Sequence, residues 1–138
     1  MWEIILSSLF LAGLAWFAGQ FFGVPFRRFF RLRTKAREIM DLTANVSNRD
    51  IEPAKYDDAA KALRSVGVEI GALHETSLSL VTWVLKRRGY DLPGAKGALI
   101  GFSNSLGDKT GQKAQCRYDA EVALKLTLSY PDRPVPRD

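Results

Sequence analysis

Residues 4–24, IILSSLFLAGLAWFAGQFFGV, form an apolar stretch without a charged side chain. At about 1.5 Å of rise per residue, a helix of this length would extend roughly 31 Å, which matches the hydrocarbon core of a bilayer. A buried helix of a soluble protein is disfavoured, because the rest of the chain can form only a small domain around it. The stretch therefore predicts a transmembrane anchor.

A block of basic residues follows the apolar stretch directly. Neither Lys nor Arg occurs before residue 27, and six basic side chains then follow within eleven positions: Arg27, Arg28, Arg31, Arg33, Lys35 and Arg37. By the positive-inside rule this end of the anchor faces the cytoplasm and the N-terminus lies outside. A cleaved secretory signal would carry its basic residues before the apolar run, so we expect the anchor to be retained.

The basic block also accounts for the net charge of +5. From residue 38 onward the chain has 14 basic and 14 acidic side chains, so the predicted domain is neutral. This distribution favours an anionic membrane leaflet as the partner of the block, with Phe29 and Phe30 entering the headgroup region beside it. It disfavours nucleic acid as a partner. A nucleic-acid-binding arm or a specific acidic-lipid site stays open as an alternative, although neither has base-reading or pocket residues to support it.

Small side chains recur along the anchor at intervals of four, three, four and four positions. These residues are Ser8, Ala12, Ala15, Gly19 and Gly23. Such a face allows two helix backbones to approach closely in lipid, where association depends on packing. We therefore expect the anchor to self-associate and the chain to form a homo-oligomer.

The remaining sequence predicts an all-α fold, because no stretch alternates apolar and polar residues with the period of a strand. We expect a single N-terminal transmembrane helix followed by a small cytosolic helical domain of three or four helices. The predicted segments are an anchor over 1–26, a basic juxtamembrane amphipathic helix over 27–48, a helical domain over 49–128 and a proline-rich flexible tail over 129–138. Pro25 is expected to kink the chain where the second segment begins.

Several residues predict where the helices of the domain begin and end. Pro53 suits a first helical turn, and Asp91 can cap a later helix that runs to Gly107. Thr76 or Ser77 can cap the helix between them, which should end at Gly89. A last helix is expected over 112–128.

The helix before Gly107 contains three glycines, each of which costs about 1 kcal/mol relative to alanine in an exposed helix. Close packing against another helix would explain them, and so would the approach of a ligand or partner to the backbone. The candidate contact residues for the second explanation are Gly97, Gly101, Ser103, Asn104 and Ser105.

No catalytic or metal-binding pattern can be assembled. His74 and Glu75 begin an H-E-x-x-H sequence, but Leu78 stands where the second histidine is required and the chain has no other histidine. Cys116 is the sole cysteine, which excludes a disulfide within the chain and a cysteine zinc site. We therefore predict a protein that is not an enzyme and has no cofactor and no metal.

Two stretches, RRFFRLR at 27–33 and GYDLPGAKGALIGFSNSLG at 89–107, carry a resemblance. Together they resemble a pattern in small uncharacterised bacterial inner-membrane proteins with one N-terminal transmembrane helix and a helical cytosolic domain. The resemblance implies the bacterial inner membrane and no particular activity.

Two functional hypotheses follow. The first is a membrane-tethered, non-enzymatic interaction and assembly module that binds an unknown protein partner or itself. The alternative is a ligand-responsive membrane effector, of the kind that acts in stress or defence, whose assembled anchors perturb the bilayer. A third possibility, nucleic-acid tethering through residues 27–37, would depend on the basic block alone.

Overall fold

The computed structural model describes residues 2–44, 53–106 and 112–126, and in these ranges the chain is helical without a β-strand. The α-helices are α1 (Trp2–Ala18), α2 (Val24–Ala44), α3 (Pro53–Thr76), α4 (Ser79–Arg87), α5 (Leu92–Ser105) and α6 (Gln112–Ala123). The all-α prediction is confirmed for this part of the chain. The predicted tail at 129–138 lies outside the described residues, as does the segment at 45–52.

A π-helical segment, Gly19–Gly23, joins α1 to α2. Its wider turn is closed by a hydrogen bond that the Val24 N–H donates to the Gly19 carbonyl five residues earlier. Pro25 explains the distortion, because its ring lacks an N–H and would press against the carbonyl of Phe21 in a regular α-helix. As predicted, a new α-helix begins next to Pro25, and the chain stays helical across it. The resulting run, Trp2–Thr43, is long and apolar enough in its N-terminal part to cross a membrane.

One hydrophobic core holds α2 to α6 together. The buried residues of α2 follow a spacing of three and four: Phe29, Leu32, Ala36 and Met40. The predicted juxtamembrane helix is thus a full member of the domain. α3 packs extensively on α5, which in turn packs on α6. Phe22 and Phe26 are partly buried against the same core, so the domain extends to the last turn of the predicted transmembrane span.

α2 and α3 form an antiparallel pair. Arg28 of α2 lies 3.7 Å from Glu69 of α3. Arg28 is 16 residues before the last residue of α2, and Glu69 is 16 residues after the first residue of α3. From Glu69 the seven remaining residues of α3 therefore extend about 10 Å further in the direction of the anchor.

The ends of α4 and α6 have the same capping geometry. Gly89 has a φ of +84° and Lys125 a φ of +49°, which places both in the left-handed region. The next residue in each case, Tyr90 or Leu126, donates its N–H to a carbonyl five residues earlier. This is the Schellman arrangement, and it explains why α6 ends at Ala123 instead of continuing to 128 as predicted.

Two further predicted caps have different outcomes. Asp91 does cap α5, since its Oδ1 accepts a hydrogen bond from the Gly94 N–H at 3.0 Å. The prediction that Thr76 or Ser77 caps α4 is wrong, because the N-cap is Leu78, which provides no side-chain acceptor. The Thr76 hydroxyl instead donates to the Ala72 carbonyl at 2.7 Å within the last turn of α3.

Candidate functional surfaces

The small-residue face of the anchor is open along its length. No residue of α1 is buried, and nothing lies within 4 Å of the position that a Cβ would occupy at Gly19 or Gly23. At 100° per residue, Ser8, Ala12, Ala15 and Gly19 lie within an arc of about 60°. The Ser8 hydroxyl donates to the Ile5 carbonyl at 2.9 Å, so its polarity is satisfied within the helix. The face can accept another helix without rearrangement of this chain.

Of the six basic residues after the anchor, three are exposed without a carboxylate partner in the described residues, two lie near carboxylates, and Arg33 binds backbone carbonyls. Arg27, Arg31 and Lys35 are exposed at intervals of four, so they form one row along α2. Within the described residues, none of the three pairs with a carboxylate. Arg28 instead lies near Glu69, and Arg37 lies 3.6 Å from Asp41 on its own helix. The exposed row retains the predicted ability to meet lipid phosphates.

Arg33 stabilises the end of another helix. Its Nε donates to the Leu124 carbonyl at 2.8 Å and its Nη2 donates to the Lys125 carbonyl at 2.7 Å. These carbonyls end α6 and have no partner within that helix, so the guanidinium satisfies them and complements the helix dipole. The Lys125 Nζ in turn donates to the Arg88 carbonyl after α4, at 3.0 Å. The ends of α4 and α6 therefore meet beside α2.

The two phenylalanines assigned to the headgroup region are separated by the fold. Phe29 is fully buried and its ring centroid lies 4.9 Å from that of Tyr90. It lies on the same face of α2 as Leu32 and Ala36, which explains why it enters the core and not the membrane. Phe30 remains 39% exposed and keeps the position that membrane contact requires.

The glycines of α5 have different surroundings. A Cβ at Gly101 would lie 2.9 Å from the Cys116 Sγ, so this glycine permits the close packing of α6. A Cβ at Gly97 would meet nothing within 4 Å. Gly97 lines an open groove of about 520 Å³ between α5 and α6, together with Tyr118 and Val122.

The polar residues after Gly101 do not converge on this groove. The Ser103 and Ser105 hydroxyls are buried and donate to carbonyls of their own helix, at 2.7 and 3.1 Å. Asn104 is exposed and its Oδ1 accepts a hydrogen bond from Arg64 of α3 at 2.6 Å. Of the five residues predicted to contact a ligand or partner, only Gly97 lines the groove.

Close packing between α3 and α5 depends on glycines that the sequence analysis did not single out. A Cβ at Gly67 would lie 3.3 Å from both the Leu99 Cβ and the Lys96 carbonyl oxygen. One at Gly71 would overlap the stem of Lys96, 2.6 Å from its Cδ. The four-residue spacing of Gly67 and Gly71 on one helix face was the available signal.

A buried ion pair on α6 was also missed. Arg117 and Glu121 are only 4% and 3% exposed, and the Arg117 Nε lies 3.0 Å from the Glu121 Oε1. The Arg117 Nη1 also donates to the Met40 carbonyl at 3.1 Å, which ties α6 to α2. The Arg–Glu spacing of four could indicate a pair on one helix, but a surface position is the usual interpretation of such a pair.

The described residues hold no group of three His, Cys, Asp or Glu side chains that could bind a metal ion. Burial raises the pKa of the Cys116 thiol, and the Asp119 carboxylate raises it further. The thiol is therefore kept in its protonated, weakly nucleophilic form at neutral pH.

Comparison of the chain with protein-family models, with curated proteins and with solved structures finds no match. Function is therefore inferred from the surfaces described above.

Proposed function

We propose that this chain is a membrane-tethered, non-enzymatic interaction module whose copies associate through the anchor. The carrying observation is that no residue of α1 is buried and that its small-residue face is left uncovered by the described part of the chain. In this proposal the anchor spans the bacterial inner membrane with its N-terminus outside. The domain formed by α2 to α6 then lies in the cytoplasm.

The composition of α1 supports a membrane environment. Its large apolar side chains, among them Trp2, Leu9, Phe10 and Trp16, are about half to three-quarters exposed. A continuous apolar surface of this kind is found on proteins where a membrane or another protein covers it. The exposed row of Arg27, Arg31 and Lys35 immediately after the span provides the cations expected at an anionic cytoplasmic leaflet.

Self-association is supported by the shape of the anchor face. Lipid tails are as apolar as leucine, so helices associate in a bilayer through close packing of their surfaces. The clear space around Gly19 and Gly23 is where a second backbone could approach most closely. The domain offers a second contact surface in the Gly97 groove, and an unknown protein partner would be bound there.

Paired substitutions in the anchor test this proposal. Gly19→Leu combined with Gly23→Leu should reduce the fraction of covalent dimers that an amine-reactive cross-linker traps in isolated membranes. Gly13→Leu is the matched control, because Gly13 is equally open but lies about 140° around the helix from Ser8. Equal yields of dimer from the original chain and from both variants would refute association through the small-residue face.

The alternative of a ligand-responsive membrane effector receives less support from the geometry. In this alternative, Ser103, Asn104, Ser105 and the nearby glycines contact the ligand. The two serine hydroxyls are already bonded to backbone carbonyls, and Asn104 binds Arg64. A ligand in the Gly97 groove would therefore be held by other residues, such as Tyr118 and Asp119.

A further inference from the structure

The outward face of α4 combines exposed apolar side chains with a cluster of cations. Leu80 is 52% exposed and Trp83 is 57% exposed, although Val81 and Leu85 on the opposite face are fully buried. The helix ends in three consecutive exposed basic residues, with Lys86 and Arg87 in its last turn and Arg88 at its C-cap. No acidic residue occurs between Leu78 and Gly89. The Arg87 guanidinium lies 5.9 Å from the centre of the Trp83 ring, so the charge and the aromatic surface are adjacent.

This face lies at the end of the domain that is nearest the anchor. α3 passes Arg28 at Glu69 and continues about 10 Å toward the anchor before the chain turns into α4. Phe22, inside the predicted span, is partly buried against the domain core. At the other end of α4, Tyr90 contacts the rings of Phe29 and Phe30. α4 therefore extends from the anchor-side end of α3 to the level of Phe29 and Phe30, alongside the end of the predicted span.

The chemistry of the face suits a lipid surface. Tryptophan is enriched at the boundary between the hydrocarbon and the headgroups, where its apolar ring and its N–H are both satisfied. Adjacent cations are attracted to anionic headgroups. The exposed Glu75 carboxylate on α3 lies 3.4 Å from the Lys96 Nζ and is partly neutralised there. Asp91 lines a pocket together with Trp83 and Lys86, and its carboxylate accepts the N-cap hydrogen bond of α5. This combination of apolar, aromatic and cationic side chains is the one expected of a surface that contacts a membrane interface.

We propose that the outward face of α4 docks on the headgroup region of the anionic cytoplasmic leaflet, beside the point where the anchor leaves it. The domain then has two attachments to the membrane, one through its anchor and one through Leu80, Trp83 and the basic residues that follow. This inference rests on the proposed membrane crossing of α1. It adds that the domain is held in one orientation against the bilayer.

Tryptophan fluorescence in lipid vesicles tests the docking, because the chain has three tryptophans, at 2, 16 and 83. Three full-length proteins, each with one tryptophan, are reconstituted in vesicles that contain phosphatidylglycerol and a mixture of phosphatidylcholines brominated near the headgroup end and near the methyl end of their chains. Both depths are needed because Trp16 lies about 12 Å inside the end of the span at Val24. One retains Trp83 and one retains Trp16, with phenylalanine at the other tryptophan positions. The third carries Leu42→Trp with all three natural tryptophans replaced by phenylalanine. Leu42 is 74% exposed and lies 18 residues beyond Val24, about 27 Å along α2, so it is the matched control outside the membrane.

We expect brominated lipid to reduce the fluorescence of Trp16 and Trp83 at least twofold and to leave the control within a tenth of its original value. If Trp16 is quenched and Trp83 behaves like the control, the docking of α4 is refuted and the proposed membrane crossing of α1 is retained. If Trp16 also escapes quenching, the membrane crossing is refuted and the docking with it. Replacing the phosphatidylglycerol with neutral lipid should weaken the quenching of Trp83 and leave that of Trp16 unchanged. Equal quenching of Trp83 in both kinds of vesicle would refute the proposal that the basic residues of α4 bind anionic headgroups.

Discussion

Replacing Glu121 with leucine should strongly destabilise the domain. The substitution removes the carboxylate that lies 3.0 Å from the Arg117 Nε, at a site where both side chains are almost completely buried. Removal of one member of a buried ion pair costs about 3–5 kcal/mol, because the other charge remains out of water. Arg117 keeps its hydrogen bond to the Met40 carbonyl and lies 3.7 Å from the half-exposed Asp41 carboxylate. These contacts favour the lower end of the range, about 3 kcal/mol.

The effect should be visible in a thermal melt of the full-length protein in mild detergent, followed by circular dichroism at 222 nm. A domain of 60–100 residues loses roughly 4–8 °C in Tm for each kcal/mol, so the expected decrease is about 12–24 °C. The anchor helix should contribute a nearly constant signal, since the detergent covers it.

A double variant separates the ion pair from simple packing. Arg117→Met combined with Glu121→Leu replaces both charges with apolar groups, which often restores most of the lost stability. We expect the double variant to melt above Glu121→Leu alone, with a coupling free energy of about 2 kcal/mol in the double-mutant cycle. A Glu121→Leu protein that melts within 3 °C of the original, or additive effects of the two substitutions, would refute the reasoning.

Two further pairs of substitutions test the roles of residues that have the same chemistry but different surroundings. Arg33→Ala removes two hydrogen bonds to the end of α6 and should lower the free energy of unfolding by about 2–3 kcal/mol. Lys35→Ala, the control, should change it by less than about 0.5 kcal/mol. Equal decreases in Tm for the two variants would contradict the capping role of Arg33. Gly97→Ala should stabilise the domain by up to about 1 kcal/mol because its Cβ enters open space. Gly101→Ala should be less stable than Gly97→Ala, since its Cβ would press on Cys116, and the opposite order of Tm values would show that α5 and α6 are packed differently.

Features that depend on local chemistry could be predicted from the sequence. Pro53, Gly89 and Asp91 all lie at the helix ends where they were expected. A first helical turn tolerates the missing N–H of proline, a Schellman end favours glycine for its left-handed φ, and an N-cap is stabilised by a side-chain acceptor. The three-to-four spacing in α2 likewise predicted an amphipathic helix. These signals act over a few residues and do not depend on the rest of the fold.

Features that depend on which helices meet could not be predicted in the same way. Arg33 belongs to a basic block that is typical of a membrane boundary. Its hydrogen bonds to Leu124 and Lys125 connect residues that are 91 and 92 positions away in the sequence. Phe29 was assigned to lipid because its neighbours are arginines, although the partner that buries it, Tyr90, comes from a distant loop. The glycines of α5 were noticed for their number, but the tight contact between α3 and α5 depends on Gly67 and Gly71 of α3.

For the candidate surfaces, the anchor face could be anticipated and the polar contacts of α5 could not. Spacing alone places Ser8, Ala12, Ala15 and Gly19 on one side of an isolated helix. Whether Ser103 and Ser105 are buried depends on which side of α5 packs against the core. The sequence of a glycine-rich helix does not show which side that is. The face of α4 that carries Leu80 and Trp83 can be recognised as a candidate membrane contact only when its position relative to the anchor is known.

The unbroken helical run from Trp2 to Thr43 has a mechanical consequence. Because the chain stays helical from the anchor into α2, a rotation of the anchor about its axis is transmitted to the domain through continuous helical backbone. Two chains that meet through their small-residue faces would therefore present their domains in one fixed angular relation. The π-turn at Gly19–Gly23 is the place where that angle is set, since it holds one residue more than an α-helical turn. Inserting one residue before Gly19 would rotate the domain by about 100° relative to the dimer axis and leave Phe22 and Phe26 in place against the core.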